Sequence, residues 1–416
     1  MTLISIFIVI FAVNIRSPLA RIFTFFIGAL LVLGPSEITL QKISYFTLVA
    51  ISSVISVFKI VGKRDYPNLK TLTNAMLEIG LWISIFITYL SVVSLVNGNS
   101  WYDTSRTLFP LVLTIMGLPI VLEGAIVIPR IIILRFIVFF GLVSSFFVFF
   151  LWSQRRGLYT FGFERLGFDS EWPAFFAIAI FIGLRFKILK YRILDFTCLV
   201  VISSLLFLTL TRTNIVILAF LLLLGTIFNR FRKRVFVYLT SLMFLFYLVI
   251  ANNLFGLVSN NIFYSRIVRS FSLVVNGGFG TTGIGGEATL QLRDTQAQIA
   301  LDLWDQNKYF GTGILPVGAT FDTSYASLAQ FGIVGLVVFI VFISRLSWCF
   351  YKFSSNNSSR TVTFLFLASL LLSTFMYNWP MNKSVWMTFP LVLMFVISEK
   401  RNSTNEAIKQ IMQDKI

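Results

Sequence analysis

Long apolar runs alternate with short polar connections along almost the whole chain. Helical stretches are expected near 2–15, 22–35, 43–61, 74–96, 107–122, 131–152, 173–187, 193–210, 214–228, 235–257, 331–349, 362–377 and 385–398. An α-helix rises 1.5 Å per residue, so about 20 apolar residues cross a hydrocarbon layer roughly 30 Å thick. The pattern therefore predicts an all-α polytopic membrane protein of about 12–13 transmembrane helices. Met1 to Ile15 has no basic segment and no small-residue cleavage site, so it is expected to stay in the structure rather than be removed as a signal. The implied division is 1–258 with ten helices, a 259–330 loop, 331–398 with three more helices, and a 399–416 tail.

Composition agrees with this pattern. Only 12% of residues are charged and 57% are hydrophobic, with a mean hydropathy of +0.87, whereas a soluble domain carries about 25% charged residues. The net charge of +17 raises the question of a nucleic-acid partner, and its distribution answers it. With spans that reverse direction each time, one set of connections holds 23 Lys+Arg and 7 Asp+Glu, and the other 11 and 10. Clusters such as Lys59, Lys63, Arg64 and Lys70, or Arg230, Arg232, Lys233 and Arg234, fall at alternate connections. That asymmetry orients the chain with its basic side in the cytoplasm, and no nucleic acid is needed to explain it. With no histidine and two distant cysteines, Cys198 and Cys349, in apolar segments, the chain is expected to hold two small buried thiols, no disulfide and no zinc site.

The side opposite the basic clusters carries the long connections 97–106, 153–172, 259–330 and 378–384. Loop 259–330 is the longest, and a long loop within a compact protein is usually functional or disordered. Glu287 to Asn307 has helical spacing, with Ala297, Ala300, Leu301 and Trp304 forming an apolar stripe. Arg293, four residues before Ala297, belongs on that inner face. It reads either as an anion ligand or as a snorkelling arginine packed beside Leu290. Gly311–Gly313 is expected to stop this helix. The glycine-rich stretch Asn276–Gly286 contains a literal GxGxxG with no strand–turn–helix context; it reads as a hinge for a lid or as a flexible linker. Arg266 and Arg269 are spaced to share one groove or to snorkel to the interface. Arg212 sits in a three-residue turn between two long apolar helices, where an unpaired guanidinium costs about 2–3 kcal/mol near the bilayer centre and less toward its edge. Arg155, Arg156 and Arg165 add positive potential to loop 153–172 or flank its helices. Asp169 and Glu171 in that loop offer an acid-x-acid pair with the spacing of a divalent-metal ligand, or charges at a helix start beside Trp172.

Three segments in order, "LTRTNIVILAFLLLL", "LRDTQAQIALDLWDQNKYFGTG" and "DTSYASLAQFGIVGLVVFI", resemble the O-antigen polymerase and ligase superfamily over roughly residues 200–345. That resemblance implies a fold similar to the C-type glycosyltransferases, with a helical membrane core and an extracytoplasmic site. It also implies an undecaprenyl-pyrophosphate-linked glycan as substrate in a bacterial plasma membrane, with a chain-length regulator and a flippase as partners and no cofactor. Arg212 resembles the family's turn arginine and Arg293 its loop-helix arginine, both associated with the pyrophosphate. Asp322 stands where ligases carry histidine and polymerases often carry an acid. Trp304 matches the family tryptophan, and Gly332 and Gly335 match its closing glycines. Thr323 replaces the family asparagine and the proline before GxG is missing. The absence of histidine points away from the ligase and toward the polymerase.

The chemistry fits these residue types. Arginines hold a diphosphate leaving group through bidentate, permanently charged contacts, and Asp322 at a helix mouth would serve as general base or as a helix cap. Tyr325 would orient the sugar or the acid. The expected catalytic set is Asp322, Arg293 and Arg212, with Arg266, Arg269, Tyr325, Trp304 and Arg156 binding substrate. Two rival functions stand beside the polymerase. One is a ligase moving finished glycan to another acceptor. The other is a lipid-linked oligosaccharide flippase, which would place charges near the midplane and commonly show inverted repeats. Here almost every charge lies at an expected helix end, with Glu78, near the cytoplasmic third of its helix, a partial exception, and no internal repeat is visible.

Overall fold

The computed structural model describes residues 13–32, 40–62, 69–154, 172–186, 188–189, 192–208, 238, 287–314, 325–376 and 383–413. Among these there are eleven helices and no strand. They are α1 (Pro18–Val32), α2 (Leu40–Val61), α3 (Leu69–Val96), α4 (Trp101–Val127), α5 (Arg130–Gln154), α6 (Trp172–Arg185), α7 (Arg192–Leu208), α8 (Glu287–Gln306), α9 (Tyr325–Phe353), α10 (Asn357–Met376) and α11 (Lys383–Gln413). Four contain stretches long and apolar enough to cross a membrane: Ile43–Val61, Leu69–Val96, Trp101–Val127 and Ser327–Phe353. This matches the expected all-α membrane architecture. The expected helices 2–15, 214–228 and 235–257 lie wholly or almost wholly outside the described residues.

Helix α4 is the hub. It packs against α1, α2, α3 and α11, and 72% of its apolar stretch is buried, against 33% for α2 and α3. Small residues on α4 allow this closeness. A Cβ on Gly117 would lie within 2.9 Å of the Phe25 ring carbons, and one on Gly124 would collide with Ile22, so α1 seats directly on the α4 backbone. The outward faces of α2 and α3 carry exposed Val54, Phe58, Leu77, Leu81 and Val92. A water-facing helix would place polar residues there, so these apolar faces are lipid-facing in character.

Hydrogen bonds tie the connections together at the two ends of the bundle, and they follow the division by charge. At the basic end Glu399 pairs with Arg130 and accepts from Asn356 Nδ2 at 2.6 Å. The Arg401 guanidinium caps the end of α4 by donating to Ile126 O and Ile128 O. Arg185 reaches Ser358 Oγ at 3.3 Å, and Asp195 accepts from the backbone N–H groups of Ile188 and Leu189. The Lys400 ammonium lies 4.9 Å from the Phe353 ring centroid; burial, then neighbouring Lys352, holds its pKa below the ordinary lysine value. At the opposite end, residues 94–99 bond to residues 311–314.

The structure corrects two expectations here. Helices overrun the apolar stretches: α4 continues to Val127 rather than stopping at 122, and α11 runs through polar residues to Gln413. Glu123, expected in a connection, is therefore inside the bundle and buried, as is Arg21 of α1. They form an ion pair. Ser56 donates to Glu123 at 2.7 Å, and the guanidinium also donates to the Asn14 and Ile15 carbonyls. A buried charge needs this full set of partners, because an unpaired one costs several kcal/mol. Both cysteines are free thiols, with Cys349 buried and Cys198 half-buried.

Candidate functional site

Helix α9 is broken near its start. Gly332 has φ 58° and ψ −172°, a backbone conformation open in practice only to glycine. An uninterrupted helix would join Ile333 N–H to Ala329 O and Val334 N–H to Gln330 O. Here all four groups pair with the segment 307–314. Ile333 N–H donates to Lys308 O and Val334 N–H to Tyr309 O, each at 2.9 Å, while Ala329 O accepts from Thr312 N–H at 2.8 Å and Gln330 O from Gly313 N–H at 3.0 Å. Segment 307–314 is thus a strap laid across the break.

Glycine is required on both sides of that crossing. A Cβ on Gly332 would stand within 2.7 Å of Gly311 N, Tyr309 O and Phe310 C, and one on Gly311 within 2.6 Å of Gln330 O and Gly332 N. All of these are backbone atoms, so no side-chain rotation relieves them. Gly311 and Gly313 both have φ 72°. The expectation that Gly311–Gly313 stops the preceding helix is corrected: α8 ends at Gln306, where Asn307 N–H bonds back to Leu303 O and Trp304 O. The glycines serve the crossing instead.

Helix α3 holds the strap from its other side. The Tyr89 hydroxyl, placed between the strap and the break, contacts Phe310 O at 2.9 Å and Phe331 O at 2.8 Å. Asn97 Nδ2 donates to Gly311 O at 3.2 Å, Asn99 Nδ2 to Thr312 O at 2.9 Å, and Ile314 N–H to Ser94 Oγ at 2.7 Å. Irregular backbone at the edge of a membrane is tolerated only when its polar groups are satisfied within protein, and here the four groups freed at the break and the strap carbonyls of residues 308–312 meet that condition.

The strap fixes α8 against α9. Ala300 and Ala329 are both fully buried, with Leu303 and Trp304 packed around them. Of the expected stripe Ala297, Ala300, Leu301 and Trp304, Ala300 and Trp304 lie in this contact, joined by Leu303, which the spacing does not place there. Trp304 Nε1–H is shielded from solvent and has no hydrogen-bond partner among the described residues. The Lys308 ammonium lies 5.7 Å from the Trp304 ring centroid and pairs with Asp305 at 3.0 Å. Arg293 occupies the α8 position two turns before Ala300. Tyr325, 42% exposed, is the first residue of α9, one turn before Ala329. The structure therefore brings the helix that carries Arg293 and Trp304 against the helix opened by Tyr325. Arg212, Arg266, Arg269, Arg156 and Asp322 lie outside the described residues, as do Asp169, Glu171 and the 276–286 glycines.

Sequence reasoning missed Tyr89, Ser94, Asn97 and Asn99. The available signal was the Asn97-Gly98-Asn99 cluster closing a 28-residue helix, since side-chain amides there seek backbone partners. No protein-family model matches this chain, and no curated protein matches it.

Proposed function

We propose that this protein is a polymerase of lipid-linked oligosaccharide repeat units in a bacterial plasma membrane, spanning it many times, with its basic end cytoplasmic and the strap end outside. In this reading a hydroxyl at the non-reducing end of an incoming undecaprenyl-pyrophosphate-linked unit attacks the anomeric carbon of the growing glycan. The bond from that carbon to pyrophosphate oxygen breaks, undecaprenyl pyrophosphate leaves, and Asp322 takes the hydroxyl proton. Arg212 and Arg293 stabilise the charge gathering on the departing diphosphate, with Arg266, Arg269 and Arg156 guiding the anion and Tyr325 and Trp304 lining the sugar. The O-antigen polymerase resemblance supplies these roles.

The observation that carries the proposal is the seating of α8, which bears Arg293, against the start of α9, three residues after Asp322. A catalytic pair drawn from sequence positions 29 residues apart needs such a rigid mount. The flippase reading would build on the buried Arg21–Glu123 pair. That pair lies at the basic end and is satisfied within protein, so it lends the transport reading little support. The proposal is tested by reconstituting the protein in vesicles with one defined undecaprenyl-pyrophosphate-linked repeat unit. A ladder of products at repeat-unit spacing, lost in Arg293→Ala, is expected. Product forming only when a different acceptor is added would establish the ligase, and substrate movement across the bilayer without product would establish the flippase.

A further inference from the structure

The strap presents two large aromatic side chains outward. Tyr309 is 70% exposed and Phe310 61% exposed, although their carbonyls are the ones bonded to Val334 N–H and Tyr89. Charges on α3 and α9 give their level. The exposed Glu78–Arg345 ion pair marks the basic-end edge of the hydrocarbon, because charges are costly inside it. Asn97 and Asn99, which hold the strap carbonyls of Gly311 and Thr312, stand 19 and 21 residues after Glu78. At 1.5 Å per residue that is about 30 Å, the thickness of a bilayer's hydrocarbon layer, so the strap lies where hydrocarbon meets headgroups. Directly below it, α9 exposes Ile333, Val334, Val337, Ile340 and Val341, an apolar stripe that continues from the strap toward the basic end. Trp101 and Tyr102, also exposed, open α4 at the strap end. Aromatic side chains at this level are membrane-interface anchors.

We propose that Tyr309 and Phe310 are seated in the bilayer interface, so that the strap, which hydropathy assigns to an exported loop, is a lipid-bound anchor holding α8 at the membrane surface. The occupant of this patch is phospholipid, because the patch runs unbroken into the apolar stripe of α9. The inference rests on the membrane architecture and is independent of the glycan reaction.

The test uses the full chain with Cys198→Ser and Cys349→Ala, reconstituted in phosphatidylethanolamine–phosphatidylglycerol vesicles. An environment-sensitive fluorophore is attached at Phe310→Cys, at Asp305→Cys one turn earlier, and at Val337→Cys one turn beyond Ile333 on the exposed stripe. Lipids carrying a nitroxide near the ester end should quench position 310 several-fold more than position 305, and aqueous iodide should show the reverse order. A nitroxide near the terminal methyl should favour position 337. Iodide quenching at 310 equal to that at 305 would overturn the proposal by placing the patch in water. Protection of 310 from both quenchers would overturn it by placing protein there. Should labelling disturb folding, a photoactivatable phospholipid added to the unaltered protein gives a second reading by mass spectrometry. Crosslinks on the peptide containing Tyr309 and Phe310 support the proposal, and crosslinks on α9 but not on that peptide refute it.

Discussion

Replacing Gly332 with alanine tests whether the broken helix and its strap are one built unit. The substitution acts twice. An alanine at φ 58° and ψ −172° occupies a region that costs about 1–3 kcal/mol for a residue with a side chain. Its methyl group would also stand within 2.7 Å of three strap backbone atoms, so the strap must move. Each backbone hydrogen bond that opens leaves a shielded polar group, at about 1–3 kcal/mol. Loss of a single bond brings the total to about 2–6 kcal/mol. Gly80→Ala is the matched control. It lies within α3, where the new methyl makes an ordinary 3.8 Å contact with Leu118, and alanine should gain about 0.5–1 kcal/mol. Equilibrium unfolding in mixed micelles, followed by circular dichroism, gives the difference between the two. Hydrogen exchange at the Thr312, Gly313, Ile333 and Val334 amides shows whether the loss is local. Equal stability of the two variants, with those amides still protected, would refute the argument.

Three further outcomes follow from the same structure. Tyr89→Phe removes the hydroxyl shared by Phe310 O and Phe331 O and should cost about 1–3 kcal/mol, read as faster exchange at Gly311 and Thr312 in the same unfolding assay. Glu123→Ala strands the buried Arg21 charge and should destabilise by about 3–5 kcal/mol, whereas the double variant Arg21→Met/Glu123→Met should recover most of that loss; equal destabilisation by both would contradict the pairing. Arg212→Ala and Arg293→Ala should each lower polymer formation in vesicles by about ten- to a hundredfold, as loss of one charged hydrogen-bonding group implies, with expression and exchange protection unchanged.

Much of the architecture was legible because hydropathy and charge report directly on it. Apolar runs located the described helices other than α8, and the basic clusters sorted their connections into two sets that the hydrogen bonds keep together, Glu399 with Arg130 at one end and Asn99 with Thr312 at the other. Hydropathy marks what lipid tolerates rather than where the backbone stops coiling, so α4 overran its expected end and carried Glu123 into the core. Its partner Arg21 is 102 positions away, and nothing local in the sequence announces that pairing. The strap was illegible for a related reason. Its bonds to α9 run mainly between backbone groups, which every residue possesses, with the Thr312 hydroxyl adding one to Ala329 O, and glycine at 311, 313 and 332 is the trace left in the sequence. Ala300 and Trp304 of α8 were readable because they stand four residues apart on one helical face, whereas the spacing did not pick out Leu303. The roles given to Arg212, Arg293 and Asp322 came from order and resemblance, since charge on a loop does not say what it will meet.

Convergence of those three positions is the central claim, and thiol chemistry tests it directly. Single cysteines at 212, 293 and 322, in a chain otherwise free of cysteine, are treated in intact cells with a membrane-impermeant maleimide, and the 293/322 and 212/322 pairs with a short bifunctional thiol reagent. The account predicts that all three label from outside and that both pairs crosslink. Labelling of any one only after the cells are opened, or failure of both pairs to join, would contradict it.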